Sequence, residues 1–301
     1  MFEHELSVSP PAIFDSDGQM RLADDKSNLT DYIAQKFQQE ISTEDNNVLN
    51  IENTVIDMGS VLRSRVRFQK GETYGNIIEK YVKIVMGYPN STPVFDGYGD
   101  DSTSTKYVTH LKRSKKLIPS NNVELALHLP FNCESKDTFF TNKYNKQSFI
   151  TMLSQELEKR GVAVLNAKGD ADQLIAQTAI DNAINFTTQV IGEDTDIFQL
   201  LVCLLKPNSK GLYMITEKRN AKHPILDIKS IRDKLGNDCA KCLPVIHAIS
   251  GCDTTSKLFG IGKSTVMRKS ISISKEASPF LSKDATQEQI EEAGRKIICL
   301  V

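Results

Sequence analysis

Seven aspartates in this chain fall into five short motifs: "VID" (Asp57), "VFDG" (Asp96), "GDAD" (Asp170 and Asp172), "GEDTD" (Asp194 and Asp196) and "GCD" (Asp253). Asp57, Asp96 and the Asp194/Asp196 pair each stand at or just past the end of an apolar, strand-like run. Asp170 and Asp172 open a helix-like stretch, and Asp253 begins a turn. In open α/β sheets, sites form in the crevice beyond the carboxyl ends of the strands. A parallel sheet would therefore bring these carboxylates to one rim. Carboxylates crowded in a cleft repel one another and resist joint ionisation. Hard divalent cations relieve that repulsion, and an all-oxygen donor set suits Mg²⁺ or Mn²⁺. Two such ions activate a water and stabilise the leaving oxygen in phosphodiester hydrolysis. Each aspartate taken alone is also an ordinary cap or turn residue. The ordered set is what favours chemistry.

A basic run follows Asp96. In "STKYVTHLKRSKK", Lys106, Lys112, Arg113, Lys115 and Lys116 lie close together beside His110. Lys106 and Arg113 are seven residues apart, about two helical turns, which puts them on one helix face. Arg holds phosphate bidentately, whereas Lys acts as a point charge. The plain alternative is a solvated basic helix or a nuclear-localisation run.

The elements that must position these groups are α/β in kind. "TVID" reads as a strand, "ETYGNIIEKYVKIVMG" as an amphipathic helix closed by Gly87, and "TPVFDG" as a second strand. "QSFITMLSQELEKRGVAVLNA" reads as a helix then a strand, "DADQLIAQTAIDNA" as a helix, and "TQVIGEDTD" as a strand that breaks at its acidic end. "GLYMIT" is a further strand and "LDIKSIRDKLG" a helix with a glycine stop. Alternating strands and helices predict a mainly parallel central sheet with helices on both faces. Residues 1–50 are polar and acidic and read as a peripheral extension with one helix in "NLTDYIAQKFQQEI". The organised domain is expected over 51–301, with a poorly periodic insertion at about 98–148. The last residues, "EEAGRKIICLV", stop on an apolar run, as the end of a fragment or of a truncated gene model would.

The series of motifs resembles the flap endonuclease and 5′–3′ exonuclease family, within the PIN-like nucleases, from about residue 54 to 270. Uncharacterised invertebrate proteins carrying "GEDTD" and "GCDTTS" are similar in motif still more closely. The resemblance implies a metal-dependent nuclease of the PIN-like, 5′-nuclease fold acting on DNA, with RNA as the second choice. It implies two Mg²⁺ or Mn²⁺ ions on Asp57, Asp96, Asp170, Asp172, Asp194, Asp196 and Asp253. Lys106 and Arg113 become the phosphate clamp, Lys112 a nucleic-acid contact, and 98–148 an arch or lid over a single strand. Residues 245–272 become a helix–two-turn–helix element, whose Gly260, Gly262, Lys263 and Ser264 hold duplex phosphates, with a monovalent cation at the Gly260–Gly262 turn. Where the family usually has Glu-x-Glu, this chain has Asp170-x-Asp172, one methylene shorter. The alternative reading is a catalytically weak or inactive PIN-like module that binds nucleic acid or protein. Inactivated relatives lose carboxylates, and none of the seven is replaced here.

Two further motifs are weaker. Cys239, Cys242, His247 and Cys252 have the spacing of a zinc knuckle, but "LPVIHAIS" reads as a buried apolar helix. "GIGKST" has the tail of a nucleotide-binding P-loop, yet Lys257 occupies the position where its first glycine belongs. Composition leaves little room for other classes. The net charge of −1 gives no global pull toward nucleic acid or membrane, so a basic patch must supply any such contact. Six cysteines without a regular framework favour a reducing compartment. No signal peptide or membrane span is read. The expected location is intracellular, nuclear rather than cytoplasmic.

Overall fold

Thr54, Val55 and Ile56 are β-branched, fully buried and consecutive, so side chains on both faces of their strand are covered. They form the centre of β1 (Asn53–Asp57). In this computed structural model, residues 9–22, 27–38, 49–97, 120–216 and 221–301 are described. Lys106, His110, Lys112 and Arg113 lie outside them. The chain divides into two units, the larger made of Ser42–Glu193 with Asn208–Arg219, the smaller of Met1–Ile41, Asp194–Pro207 and Asn220–Val301.

In the larger unit β1 lies between β2 (Ser91–Phe95) and β4 (Thr188–Ile191), with β3 (Leu165–Asn166) outside β2 and β5 (Leu212–Ile215) outside β4. All four of these pairings are parallel. β4 is buried at every position, as β1 is along most of its length. That is the signature of a parallel strand covered on both faces. The helix Tyr74–Met86 packs against β2 and the helix Lys143–Glu158, while the helix Asp172–Ala183 packs on β1, β4 and β5. The expected mainly parallel α/β sheet is present.

Edge-to-face and tilted rings fill one side of this core. Phe68 meets Phe131 at 5.2 Å and Phe149 at 5.5 Å between centroids, and Phe139 meets Tyr74 at 5.8 Å. Phe131 and Phe139 belong to 120–148, the described part of the stretch read as a lid, and both are buried. Buried Asn145 holds the same stretch by accepting from Val123 N at 2.8 Å.

Among its described residues, the smaller unit has its regular structure in helices apart from the short strand β6 (Ile225–Asp227) and an antiparallel bridge between Phe14 and Met20. Its helix Ser27–Phe37 buries Leu29, Ile33 and Ala34, an apolar stripe at helical spacing, against the helices Thr195–Leu204, Ile228–Leu235 and Lys263–Arg268. The sequence suggests a peripheral role for this stretch. It instead supplies part of the unit's core. The helices Leu243–Ile249 and Lys263–Arg268 flank a two-turn connection in which Gly251 and Gly260 have φ of 89° and 74°. A Cβ at Gly251 would also come within 2.8 Å of Lys257 Cβ, so glycine is required there twice over.

Candidate metal and nucleic-acid site

Parallel register aligns the acidic ends of the central strands. Asp57, the last residue of β1, pairs with Val94, so Asp96 follows just beyond the end of β2. Ile56 pairs with Ile191, which sets Gly192 next to Asp57. A Cβ on Gly192 would lie 3.4 Å from Asp57 Cβ.

Asp57 is 8% exposed and caps the helix Met58–Ser64, its Oδ1 accepting from Ser60 N at 3.2 Å. The same oxygen faces Asp96 across Gly59. A Cβ built on Gly59 would meet Asp57 Oδ1 at 3.0 Å and Asp96 Oδ2 at 3.3 Å, so the two oxygens are at most 6.3 Å apart, the sum of those distances. The glycine leaves open a space that two carboxylates border. Burial pushes the Asp57 carboxyl above its ordinary value, and the charge of Asp96 adds to the shift; the Ser60 N–H and Arg63 oppose it.

The helix that carries the acidic pair is tied to Asp96. Asp96 Oδ1 accepts from Ala171 N at 3.2 Å, and Gly97 N donates to Gly169 O at 2.8 Å. A side chain at Gly97 would run into the backbone of Ala167 and Lys168, so the two chain segments touch only because Gly97 has none. Asp170 Oδ1 accepts from Asp172 N at 3.3 Å. The larger unit thus brings together Asp57, Asp96 and the turn of Asp170–Asp172. Oxygen donors of this kind fit a hard divalent cation, and the raised Asp57 carboxyl is the cost that such a cation would remove. Among the described residues, no group of three or more His, Cys, Asp or Glu side chains forms a finished metal cage.

In the smaller unit Asp194 caps the helix Thr195–Leu204, accepting from Asp196 N at 3.0 Å. Asp196 Oδ1 lies 2.9 Å from His247 Nε2. Asp253 stands in the turn after Gly251. Gly260, Gly262 and Ser264 are exposed. Lys263, expected beside them at a phosphate, is only 5% exposed and turns its ammonium inward. That ammonium donates to Gly251 O at 2.7 Å and to Ser250 Oγ at 3.3 Å, and stands 3.3 Å from His247 Nδ1. A buried lysine needs such partners, and a P-loop lysine would instead point out toward its nucleotide.

The cysteines find separate partners. Cys239 and Cys242 reach Ser274 while Cys252 faces Thr254 and Thr255, and His247 is engaged with Asp196 and Lys263. Burial, with Cys239 and Cys203 nearby, pushes the Cys242 thiol up to about 11. Among the described residues, these cysteines and His247 form no group of three that could hold a metal ion.

Sequence reasoning missed two contributors. Gly59 was signalled by "DMG", a residue without a side chain two places after a strand-end acid. His247 was weighed only as a zinc ligand. Its signal was a polar ring on an apolar helix, which demands a buried partner. Glu193 is a further acid inside "GEDTD", beside Asp194, and its Oε1 lies 3.5 Å from Thr216 Oγ1.

Structures of known proteins match this architecture. Human GEN1 in complex with Holliday-junction DNA superposes with a TM-score of 0.50 at 17% identity, over 89% of this chain and 61% of that one. The chain has the PIN-like 5′-nuclease fold. Further structures with this fold are similar at lower scores. The catalytic core of Rad2 with DNA substrate gives a TM-score of 0.47 at 15% identity, over 89% of this chain and 77% of that chain. The T5 D15 protein co-crystallised with metal ions gives 0.47 at 14%, over 83% and 86%. No family model matches the sequence, and no curated protein sequence matches it. In PIN-like terms, the Asp57–Asp96 rim is the carboxyl edge of the sheet, where this fold class keeps its sites.

Proposed function

We propose that this chain is a metal-dependent nuclease that hydrolyses phosphodiester bonds in structured DNA. The observation that supports it most is the Asp57–Asp96 pair converging on Gly59 at the carboxyl ends of adjacent parallel strands. Asp57, Asp96, Asp170 and Asp172 of the larger unit, with Asp194, Asp196 and Asp253 of the smaller, are the proposed ligands of two Mg²⁺ or Mn²⁺ ions. Bound ions of this kind supply a water of lowered pKa and positive charge for the leaving oxygen.

The chain's own residues do the rest. Asp57 and Asp96, fixed by Ser60 N and Ala171 N, hold their carboxylates where a cation would screen both. Lys106 and Arg113 are proposed to clamp the phosphate at which charge develops, with Lys112 as a further backbone contact. The exposed turn of Gly260 and Gly262, with Ser264, is proposed to hold the duplex through main-chain N–H groups, with a monovalent cation at the turn. GEN1 is seen with Holliday-junction DNA, which makes a four-way junction a natural probe here.

The test gives purified chain a labelled 5′-flap duplex, a four-way junction and a single strand, with Mg²⁺, Mn²⁺ or EDTA. Asp57→Asn and Asp194→Asn/Asp196→Asn variants run beside it. Cleavage by the wild type with metal, absent in EDTA and in both variants, is the expected result. Binding of these DNAs without cleavage in either metal would replace the nuclease reading with that of a binding module.

A further inference from the structure

The Lys263 ammonium is buried in the smaller unit, and its three N–H bonds match three acceptors: Gly251 O, Ser250 Oγ and His247 Nδ1. An ammonium has no acceptor, so the His247 nitrogen facing it must accept. The ring proton therefore sits on Nε2, which lies 2.9 Å from Asp196 Oδ1 but off the line of a hydrogen bond, so imidazole and carboxylate meet as a polar contact. His247 is itself only 7% exposed, while the Asp196 side chain is 33% exposed. A run of polar contacts, lysine to imidazole to carboxylate, leads from the first residue after the Gly260–Gly262 turn to Asp196. The same ammonium grips Gly251, two residues before Asp253.

We propose that Lys263 and His247 are positioning residues for the metal-binding carboxylates of the smaller unit, Lys263 orienting His247, His247 orienting Asp196, and the Lys263–Gly251 bond setting the Asp253 turn. The inference rests on the metal-site reading above and assigns Lys263 a different task from phosphate contact. Outer partners of this kind fix a ligand's orientation, and losing one typically costs 10–100-fold in metal affinity.

Three variants of the full chain decide it: Lys263→Met, His247→Leu and His247→Gln. Mn²⁺ affinity is read by calorimetry, and kcat and KM are read separately on a 5′-flap duplex. Lys263→Met and His247→Leu should weaken Mn²⁺ binding about 10–100-fold and lower kcat, with KM for DNA within about twofold of wild type. His247→Gln, whose amide keeps a polar group beside Asp196, should recover most of the Mn²⁺ affinity lost in His247→Leu. Wild-type Mn²⁺ affinity in His247→Leu would reduce the run of contacts to packing and overturn the proposal. A raised KM at unchanged Mn²⁺ affinity in Lys263→Met would do the same, returning that lysine to the phosphate. Should Lys263→Met fail to fold, the two His247 variants still decide. A wild-type chain that takes up no Mn²⁺ would overturn the metal-site reading and this inference together.

Discussion

Asp57→Asn should make the metal-free chain more stable. The asparagine amide oxygen can still accept from Ser60 N, and Asn and Asp are equivalent helix caps, so the cap survives. What disappears is a buried negative charge facing Asp96. With the two oxygens at most 6.3 Å apart, their repulsion is at least about 2.6 kcal/mol at an effective dielectric of about 20. It falls to about 0.7 kcal/mol if the partial exposure of Asp96 brings the pair to the dielectric of water. The opposing effects are a weaker bond from Ser60 N to a neutral amide and the loss of Arg63's attraction; relief of burial, the largest cause of the raised carboxyl, offsets them. A gain of roughly 1–2.5 kcal/mol follows, or roughly 2–10 °C in Tm for a unit of this size.

The assay is thermal unfolding in EDTA, repeated with Mn²⁺ and across pH. In Mn²⁺ the order should invert, because ligand binding to the folded state raises the wild-type Tm and the variant has lost a ligand. The pH dependence has a fixed sign. The folded chain holds the Asp57 proton more tightly than the unfolded chain, so the destabilisation is absent below the ordinary value of 3.8. It grows as pH rises from 3.8 toward the raised folded value and is complete above it. Wild type and variant should therefore melt together in acid and separate toward neutral pH, with the variant higher. A variant that melts below wild type in EDTA at neutral pH would refute the argument, since Asp57 would then be a net stabilising carboxylate.

Two further substitutions probe the same geometry. Gly59→Ala puts a methyl 3.0 and 3.3 Å from the two carboxylate oxygens, and Mn²⁺ binding measured by calorimetry should weaken about tenfold. Its Tm in EDTA should stay within about 2 °C of wild type, because Ala gains up to about 1 kcal/mol over Gly inside a helix. Asp227→Asn is the control: it also removes a partly buried, cap-forming carboxylate at a strand end, yet Mn²⁺ affinity should be unchanged by calorimetry. A loss as large as that of Asp57→Asn would undo the choice of site.

Much of the larger unit is legible in the sequence because parallel strands buried on both faces leave a plain trace. β1, β2 and β4 are short apolar runs, and each is punctuated by an acid or a glycine. The helix Tyr74–Met86 repeats its apolar residues at helical spacing from a Thr73 cap to Gly87. The partition into two units is not legible. Asp194–Pro207 groups with both ends of the chain rather than with the strand that precedes it, and no local pattern marks a long-range choice of that kind. The inward turn of Lys263 is hidden for a similar reason. "GIGKS" looks the same whether its lysine faces a phosphate or His247, and only the packing of two helices distinguishes them.

The strand-end aspartate is itself a weaker signal than the motif series suggests, and Asp227 shows why. It ends β6, caps the helix Ile228–Leu235 through Ser230 N at 2.9 Å, and has its carboxyl pushed up by burial, with the charge of Asp233 adding to the shift. In each of these respects it repeats Asp57. Capping and metal binding thus do not compete as explanations, because a strand that runs straight into a helix puts an acid at the helix N-terminus in either case. What separates Asp57 is a second carboxylate on the neighbouring strand and a glycine that leaves open the space between them. Asp227 has a charged neighbour, Asp233, nearly two turns along its own helix but no such opening among the described residues. The functional content lies in the convergence of two strand ends, which the parallel register of β1 on β2 creates and which no single motif carries.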